Sequence, residues 1–224
     1  MEEVKSPERS INVSGAGRLS VSPDTVVLTM KIEGKSKSYE KALADAAGRI
    51  ESLRGAVVSA GHKADDLKTA RFNVRSDYNH VQDRKEGLRR VFVGYVCEYS
   101  LTLTFAFEQE RLAATMAAVA AAKAEPETDI RFTVADPEAV REQLLAGAAD
   151  NARRKAEALC RASGVRLGRL LRIGYRVDRS DFVSDTECGN AVAMPMMAKG
   201  IAADMVPEDI ELSDSASFVW AIED

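Results

Sequence analysis

An α+β fold, a mostly antiparallel sheet with helices packed on one face, is predicted by three observations in this 224-residue chain. Apolar residues recur at period two in several stretches, which is the signature of half-buried strands. Between them lie segments with apolar residues at helical spacing and recognisable stops. The resulting order, ββαββαβαββ, lacks the regular βαβ repetition of a parallel sheet, so antiparallel pairing with helices on one face is the expectation. Clean alternation also requires one sheet face to be covered and the other to be polar.

Residues 1–10 read as a disordered tail. "INVSGAGRLSVSPD" reads as a short strand, a glycine bend and a turn at Pro23-Asp24. "TVVLTMKIEG" places Val26, Leu28, Met30 and Ile32 on one face of a second strand. A helix over 39–60 follows, with Tyr39, Leu43, Ala46, Ile50, Leu53 and Val57 at helical spacing, Ser38 as N-cap and Gly61 as the stop. The third strand, "DLKTARFNVRSDY", puts Ala70, Phe72, Val74 and Tyr78 on one face.

The fourth strand, "VFVGYVCEYSLTLTFAF" at 91–107, alternates without a miss from Val91 through Val93, Tyr95, Cys97 and onward to Phe107. Its 17 residues would extend on the order of 56 Å. Such a strand must bend, carry a bulge, with Gly94 the natural place, or project from the body. Pairing of 91–107 with 67–78 predicts a long bent hairpin. Its inner part is expected under helix 39–60 or helix 137–163, and its outer part against another subunit, because an uncovered apolar edge invites association.

In the second half, a helix near 109–123 carries Leu112, Met116 and Val119, and a short strand "DIRFTV" follows. Asp136-Pro137 opens a helix over 137–163 that Gly164 stops. Asp150–Arg154 and Glu157–Arg161 are spaced as acid-before-base pairs on its solvated face. "RLLRIGYRV" and "IELSDSASFVWAI" are the last two strands. The final one has Asp214 as the single break in its apolar face.

Composition sets the class. With 46% hydrophobic and 29% charged residues, the chain has the make-up of a soluble globular protein. One large domain or two interlocked halves suits this length. A net charge of −4 argues against non-specific nucleic-acid binding. Residues 141–176 carry nine bases against three acids and residues 178–224 two against eleven, which reads first as two solvated surfaces of opposite sign and second as patches complementary within the fold or between subunits. No window approaches a membrane-spanning length, so no membrane span is expected. Three cysteines without paired spacing (Cys97, Cys160 and Cys188) write no disulfide framework or zinc site, and the first two read as small buried hydrophobes. The polar start "MEEVKSPERS" has no apolar leader, giving a cytoplasmic expectation, with a periplasmic or exported location as the alternative if a signal was removed.

Few motifs carry chemistry. Gly15-x-Gly17 is followed by a strand rather than a helix N-terminus, so it lacks a phosphate cradle. His62 and His80 stand apart from other metal-ligand residues. His80 shares "RSDYNH" with Asp77 and Tyr78, the one place where an enzymatic site for proton transfer is expected if there is any. Residues 178–206 break the rhythm and hold Met194, Met196, Met197 and Met205 near Cys188. Methionines of this kind suit adaptable contact surfaces, and more weakly soft metal ions.

The combination of "INVSGAG", "SPDTVVLTMKIEGKS", "DLKTARFNV", "GYVCEYSLTLTF", "AADNARRKAEALCRASGVRLGRLLRIGY" and "MVPEDIELSDSASFVWAI" resembles the SIMPL domain family, which includes bacterial periplasmic immunogenic proteins. The resemblance runs over 11–224, which is taken as a single domain carrying the Met-rich insertion at 178–206. It implies an α+β fold, a tendency to oligomerise, export in bacteria, stress-related roles and no established enzymatic chemistry. It supplies no catalytic residues to carry over.

The functional expectation is therefore a non-enzymatic, homo-oligomeric assembly protein without cofactor or nucleic-acid partner. Its interface residues are expected to be Val91, Val93 and Tyr95 on the hairpin and Met194, Met196 and Met197 in the insertion. The alternatives are a small-molecule or soft-metal binder using 178–206, and an enzyme with a site at Asp77 and His80.

Overall fold

Among the described residues, period-two patterning builds seven strands and helical spacing three helices, in the predicted order. The computed structural model describes residues 9–83, 87–176, 182–186 and 205–224, with the backbone alone at 81–83, 87 and 88. The strands divide between two sheets, both antiparallel, instead of building the one expected. The chain correspondingly forms two compact units. One takes the chain up to Ser22 with Val134–Ser184 and Asp209–Asp224, and the other takes Pro23–Thr133 and Asp185–Glu208.

The second unit contains β2 (Thr25–Ser36), α1 (Tyr39–Ser59), a short 3-10 turn (Ala64–Asp66), β3 (Leu67–Asp83), β4 (Gly87–Ala106), α2 (Gln109–Ala121) and β5 (Glu127–Thr133). Its sheet order is β3-β4-β2-β5. Leu28 lies opposite Leu103 on β4 and Ile130 on β5, so the alternating residues of three strands meet on one face. That face packs against Leu53 and Val57 of α1 and against Leu112, Met116 and Val119 of α2. The inner part of the long hairpin thus lies under helix 39–60, one of the two positions predicted for it, and helix 137–163 belongs to the other unit. α1 begins after Ser38, which occupies the predicted N-cap position without a side-chain capping bond. It ends at the predicted glycine, Gly61, whose φ is 91°.

The first unit contains β1 (Ser10–Val21), α3 (Pro137–Ala162), β6 (Arg166–Tyr175) and β7 (Ile210–Glu223), with sheet order β1-β7-β6. Both ends of α3 follow the sequence signals: Asp136 accepts a hydrogen bond from the Ala139 amide at 3.0 Å, Pro137 opens the first turn, and Gly164 (φ 71°) terminates it. Ala152 and Ala156 of α3 pack with Val13, Phe218 and Trp220, while Val140 and Leu144 pack with Phe182, Ile210 and Leu212. Asp214, the break in the apolar face of β7, accepts a hydrogen bond from the Tyr175 hydroxyl of β6 at 2.8 Å, so the carboxylate is satisfied.

The structure departs from the sequence expectation at β1 and on the face of α3. The predicted glycine bend in β1 is absent: the strand pairs with β7 in unbroken register from Ser10 to Val21. Gly15 and Gly17 instead let α3 approach, since a Cβ on either would lie 1.9 Å from a helix carbonyl oxygen, that of Ala148 or Leu144. The predicted pair Glu157–Arg161 is also replaced, because Glu157 turns back to accept from Arg153 Nε at 3.1 Å. α3 further covers the polar edge of β1: the Ala16 amide donates to Asn151 Oδ1 and Lys155 Nζ donates to the Ser14 carbonyl, both at 3.1 Å. A strand edge so occupied is blocked against pairing there.

Candidate interaction surface

Strand β4 outlasts its neighbours. β2 pairs with it only as far as Ser36 opposite Tyr95, whereas β3 continues to pair until Asp83 meets Gly87. Residues 77–83 and 87–94 therefore form a two-stranded arm beyond the four-stranded sheet. At about 3.3 Å per residue, seven residues carry it roughly 23 Å outward. A two-stranded hairpin is marginally stable alone in water. This one is rooted where Ser36 crosses Gly94, because a Cβ there would lie 2.5 Å from the Ser36 carbonyl oxygen.

The register shift between Asp77/Gly94 and Tyr78/Phe92 leaves Val93 as the extra residue, one position from the predicted bulge at Gly94. The bulge breaks the continuous apolar edge read from Val91 to Phe107. Beyond it, Phe92 continues the row in place of Val91: its ring centroid lies 5.3 Å from that of Tyr95 and 5.7 Å from that of Tyr78. Tyr39 of α1 extends the row at 5.8 Å from Tyr95, and the Arg90 guanidinium caps the far end 4.4 Å above Tyr78. Tyr39, Tyr78 and Phe92 are exposed by 47, 39 and 45%, and Val91 and Val93 by 42 and 39%. Tyr95 is half-buried and packs beside Cys97, Ala42 and Ala46.

Of the expected interface residues, the structure thus places Val91, Val93 and Tyr95 on the arm and its root. Met194, Met196, Met197 and Cys188 lie outside the described residues. Elsewhere in the insertion, Phe182 packs with Val140 and Leu144 in the first unit, and Met205 packs against the core of the second, its carbonyl accepting from Gln109 Nε2 at 3.1 Å. Sequence reasoning missed Phe92 and Tyr39. The bulge beside Gly94 is the signal for Phe92, whereas the sequence places Tyr39 only as part of its helix.

Asp77 and His80 are not brought together as a proton-transfer pair. The Asp77 carboxylate accepts from the Tyr78 amide at 3.0 Å and lies 3.7 Å from Arg75 Nη1. His80 sits opposite Arg90 further out on the arm. Cys97 and Cys160 are buried free thiols, and burial, helped by the Glu98 charge, pushes the Cys97 thiol above its ordinary range. Among the described residues, no group of three or more His, Cys, Asp or Glu side chains is arranged to hold a metal ion. Nor is any helix among them long and apolar enough to cross a membrane.

An open trough of about 670 Å³ is lined in part by Lys31, Glu33, Lys35, Arg49 and Glu98 of the second unit. Several of its charges are paired already, Lys31 with Glu127 at 3.4 Å and Arg49 with Asp45 at 3.5 Å. Burial raises the Glu98 pKa, yet hydrogen bonds from Arg75 and Asn73 and the Arg75 charge outweigh it and hold the carboxyl below its usual value.

Comparison with known proteins adds a family. The SIMPL family model, described as a protein of unknown function (DUF541), matches residues 11–220. A 26 kDa periplasmic immunogenic protein from Brucella melitensis biotype 1 is 26% identical over 163 residues, which are 73% of this chain and 65% of that protein. The protein of the same description from Brucella abortus strain S19 is 25% identical over the same shares. The chain thus spans 65% of the length of these relatives. A crystal structure of an uncharacterized conserved protein from Listeria innocua aligns over 97% of this chain and 94% of its own at 10% identity, with a TM-score of 0.20, a likeness too slight to argue from.

Proposed function

Since the chain belongs to the SIMPL family, whose function is unknown, its role has to be read from its own geometry, and we propose a non-enzymatic protein that assembles with copies of itself through the β3–β4 arm. The observation that carries this reading is the arm: two strands extending beyond the rest of the sheet, bearing an exposed aromatic row, with Val91 and Val93 also exposed. Fully burying one such side chain is worth about 1.5–3 kcal/mol, so a few of them against a second copy supply a substantial drive to associate. Contiguous exposed apolar surface of this kind marks interaction sites. The periplasmic description of the relatives supports work in the cell envelope as part of the same proposal.

The direct test is Val91→Lys with Val93→Lys, and separately Phe92→Lys, in sedimentation equilibrium over a concentration series. Each is expected to move the protein toward monomer while the far-ultraviolet circular dichroism stays that of the wild type. Unchanged association in all of them refutes the arm as the interface. The trough favours a second reading, a polar small-molecule site, which native mass spectrometry of the purified protein tests by a retained ligand mass.

A further inference from the structure

We propose that His62 is an acid-sensitive latch that fastens the end of α1 to α2. His62 follows the glycine that stops α1, and its side chain is buried, with the residue 5% exposed. Both ring nitrogens are committed. Nε2 lies 2.7 Å from Thr115 Oγ1, and Nδ1 lies 3.3 Å from Arg111 Nη2. The Thr115 hydroxyl donates its only proton to the Arg111 carbonyl at 2.7 Å, so toward His62 it acts as an acceptor. Nε2 must therefore carry the proton. A guanidinium has only donors, so Nδ1 must present its lone pair to Arg111. The two contacts together fix the imidazole as the neutral Nε2–H tautomer, with no lone pair left over.

A second proton has to enter at Nδ1, where it displaces the Arg111 hydrogen bond and sets imidazolium against guanidinium. The remaining surroundings do little to help. β4 presents the Phe105 ring, 4.8 Å from the imidazole and 5.4 Å from the Arg111 guanidinium. From the 3-10 turn, Asp66 offers an opposing charge, and its carboxylate already accepts from the Lys63 amide at 3.0 Å. Burial first and Arg111 second lower the His62 pKa below 6.5, with Asp66 acting in the other direction.

The sign follows from this asymmetry. Below 6.5 the released ring takes up a proton that the latched ring refuses, so acid favours the open form. The latch holds fully above 6.5 and weakens as pH falls from there toward the depressed value. A single linked proton changes the opening equilibrium by at most about tenfold per pH unit.

The chain has two histidines, so imidazole NMR of the full protein reads the latch directly, with His80→Gln identifying the signals. His62 is expected as the Nε2–H tautomer at neutral pH with a titration midpoint below 6.5. Arg111→Gln is expected to raise that midpoint, which a merely structural contact would not do. Hydrogen exchange of the α2 amides, corrected for its intrinsic pH dependence, is expected to accelerate in acid in the wild type and not in His62→Gln. An Nδ1–H tautomer, a midpoint at or above 6.5, or a midpoint indifferent to Arg111→Gln overturns the proposal. The titration uses the wild-type ring, so failure of His62→Gln to fold leaves the decision intact.

Discussion

Gly15→Ala should be among the most damaging single-methyl additions available in the first unit. The new Cβ would sit 1.9 Å from the Ala148 carbonyl oxygen and 2.7 Å from both the amide nitrogen and the Cβ of Ala152. Real Cβ contacts essentially never fall under 3.0 Å, so α3 and β1 must part by about 1.1 Å, the difference between 3.0 and 1.9. The obstacle is helix backbone, so no rotamer change relieves it. Ala148, Ala152 and Ala156 are all fully buried at this seam, and separating the elements loosens that packing along the helix. Overpacking costs typically 1–3 kcal/mol, and a backbone-to-backbone clash belongs at or above the upper end, about 3 kcal/mol. Gly48→Ala is the control. It adds the same methyl to an exposed position of α1 with nothing within 4 Å. That substitution should stabilise by about 0.5–1 kcal/mol through helix propensity alone. Urea unfolding followed by far-ultraviolet circular dichroism reads the comparison, and the fluorescence of Trp220, the single tryptophan and a member of the same core cluster as Ala152, reports the first unit separately. A Gly15→Ala midpoint equal to the wild type refutes the close-approach account of these glycines.

Leu103→Ala, at a fully buried centre of the second unit's sheet, should cost about 2–5 kcal/mol in the same unfolding assay. Asp136→Ala removes the α3 cap bond and should cost about 0.5–2 kcal/mol, largely restored by Asp136→Asn, as thermal unfolding would show. Between pH 6.5 and the depressed His62 value, wild-type stability should fall more steeply than that of His62→Gln, and parallel curves would contradict the latch.

Local signals were the legible ones. The ends of α3 are written in three residues, Asp136, Pro137 and Gly164, because capping depends on neighbours in sequence. For the same reason, the alternation of β2 predicts Val26, Leu28, Met30 and Ile32 as its buried face, whereas its pairing with β4 has no local signal. Features that require a distant partner are not written locally. Gly15 and Gly17 look like a bend until α3 is laid across them, and "SGAGR" alone contains nothing of Ala148. The division of strands between two sheets depends on β1 pairing with β7, some two hundred residues later, which no local pattern specifies. The arm was legible in length, and its bulge nearly so in place, but the side chain that continues the aromatic row depends on one extra residue. His62 looked isolated because Arg111 and Thr115 are 49 and 53 residues away, one turn apart on a different helix.

The mass of the wild-type protein in solution, measured by sedimentation equilibrium into the high micromolar range, tests assembly through the arm most directly. A mass that rises to a multiple of 24.3 kDa, and falls back with Phe92→Lys, is the predicted result. A mass of 24.3 kDa at every concentration contradicts it, leaving the aromatic row of the arm without a second copy to cover it.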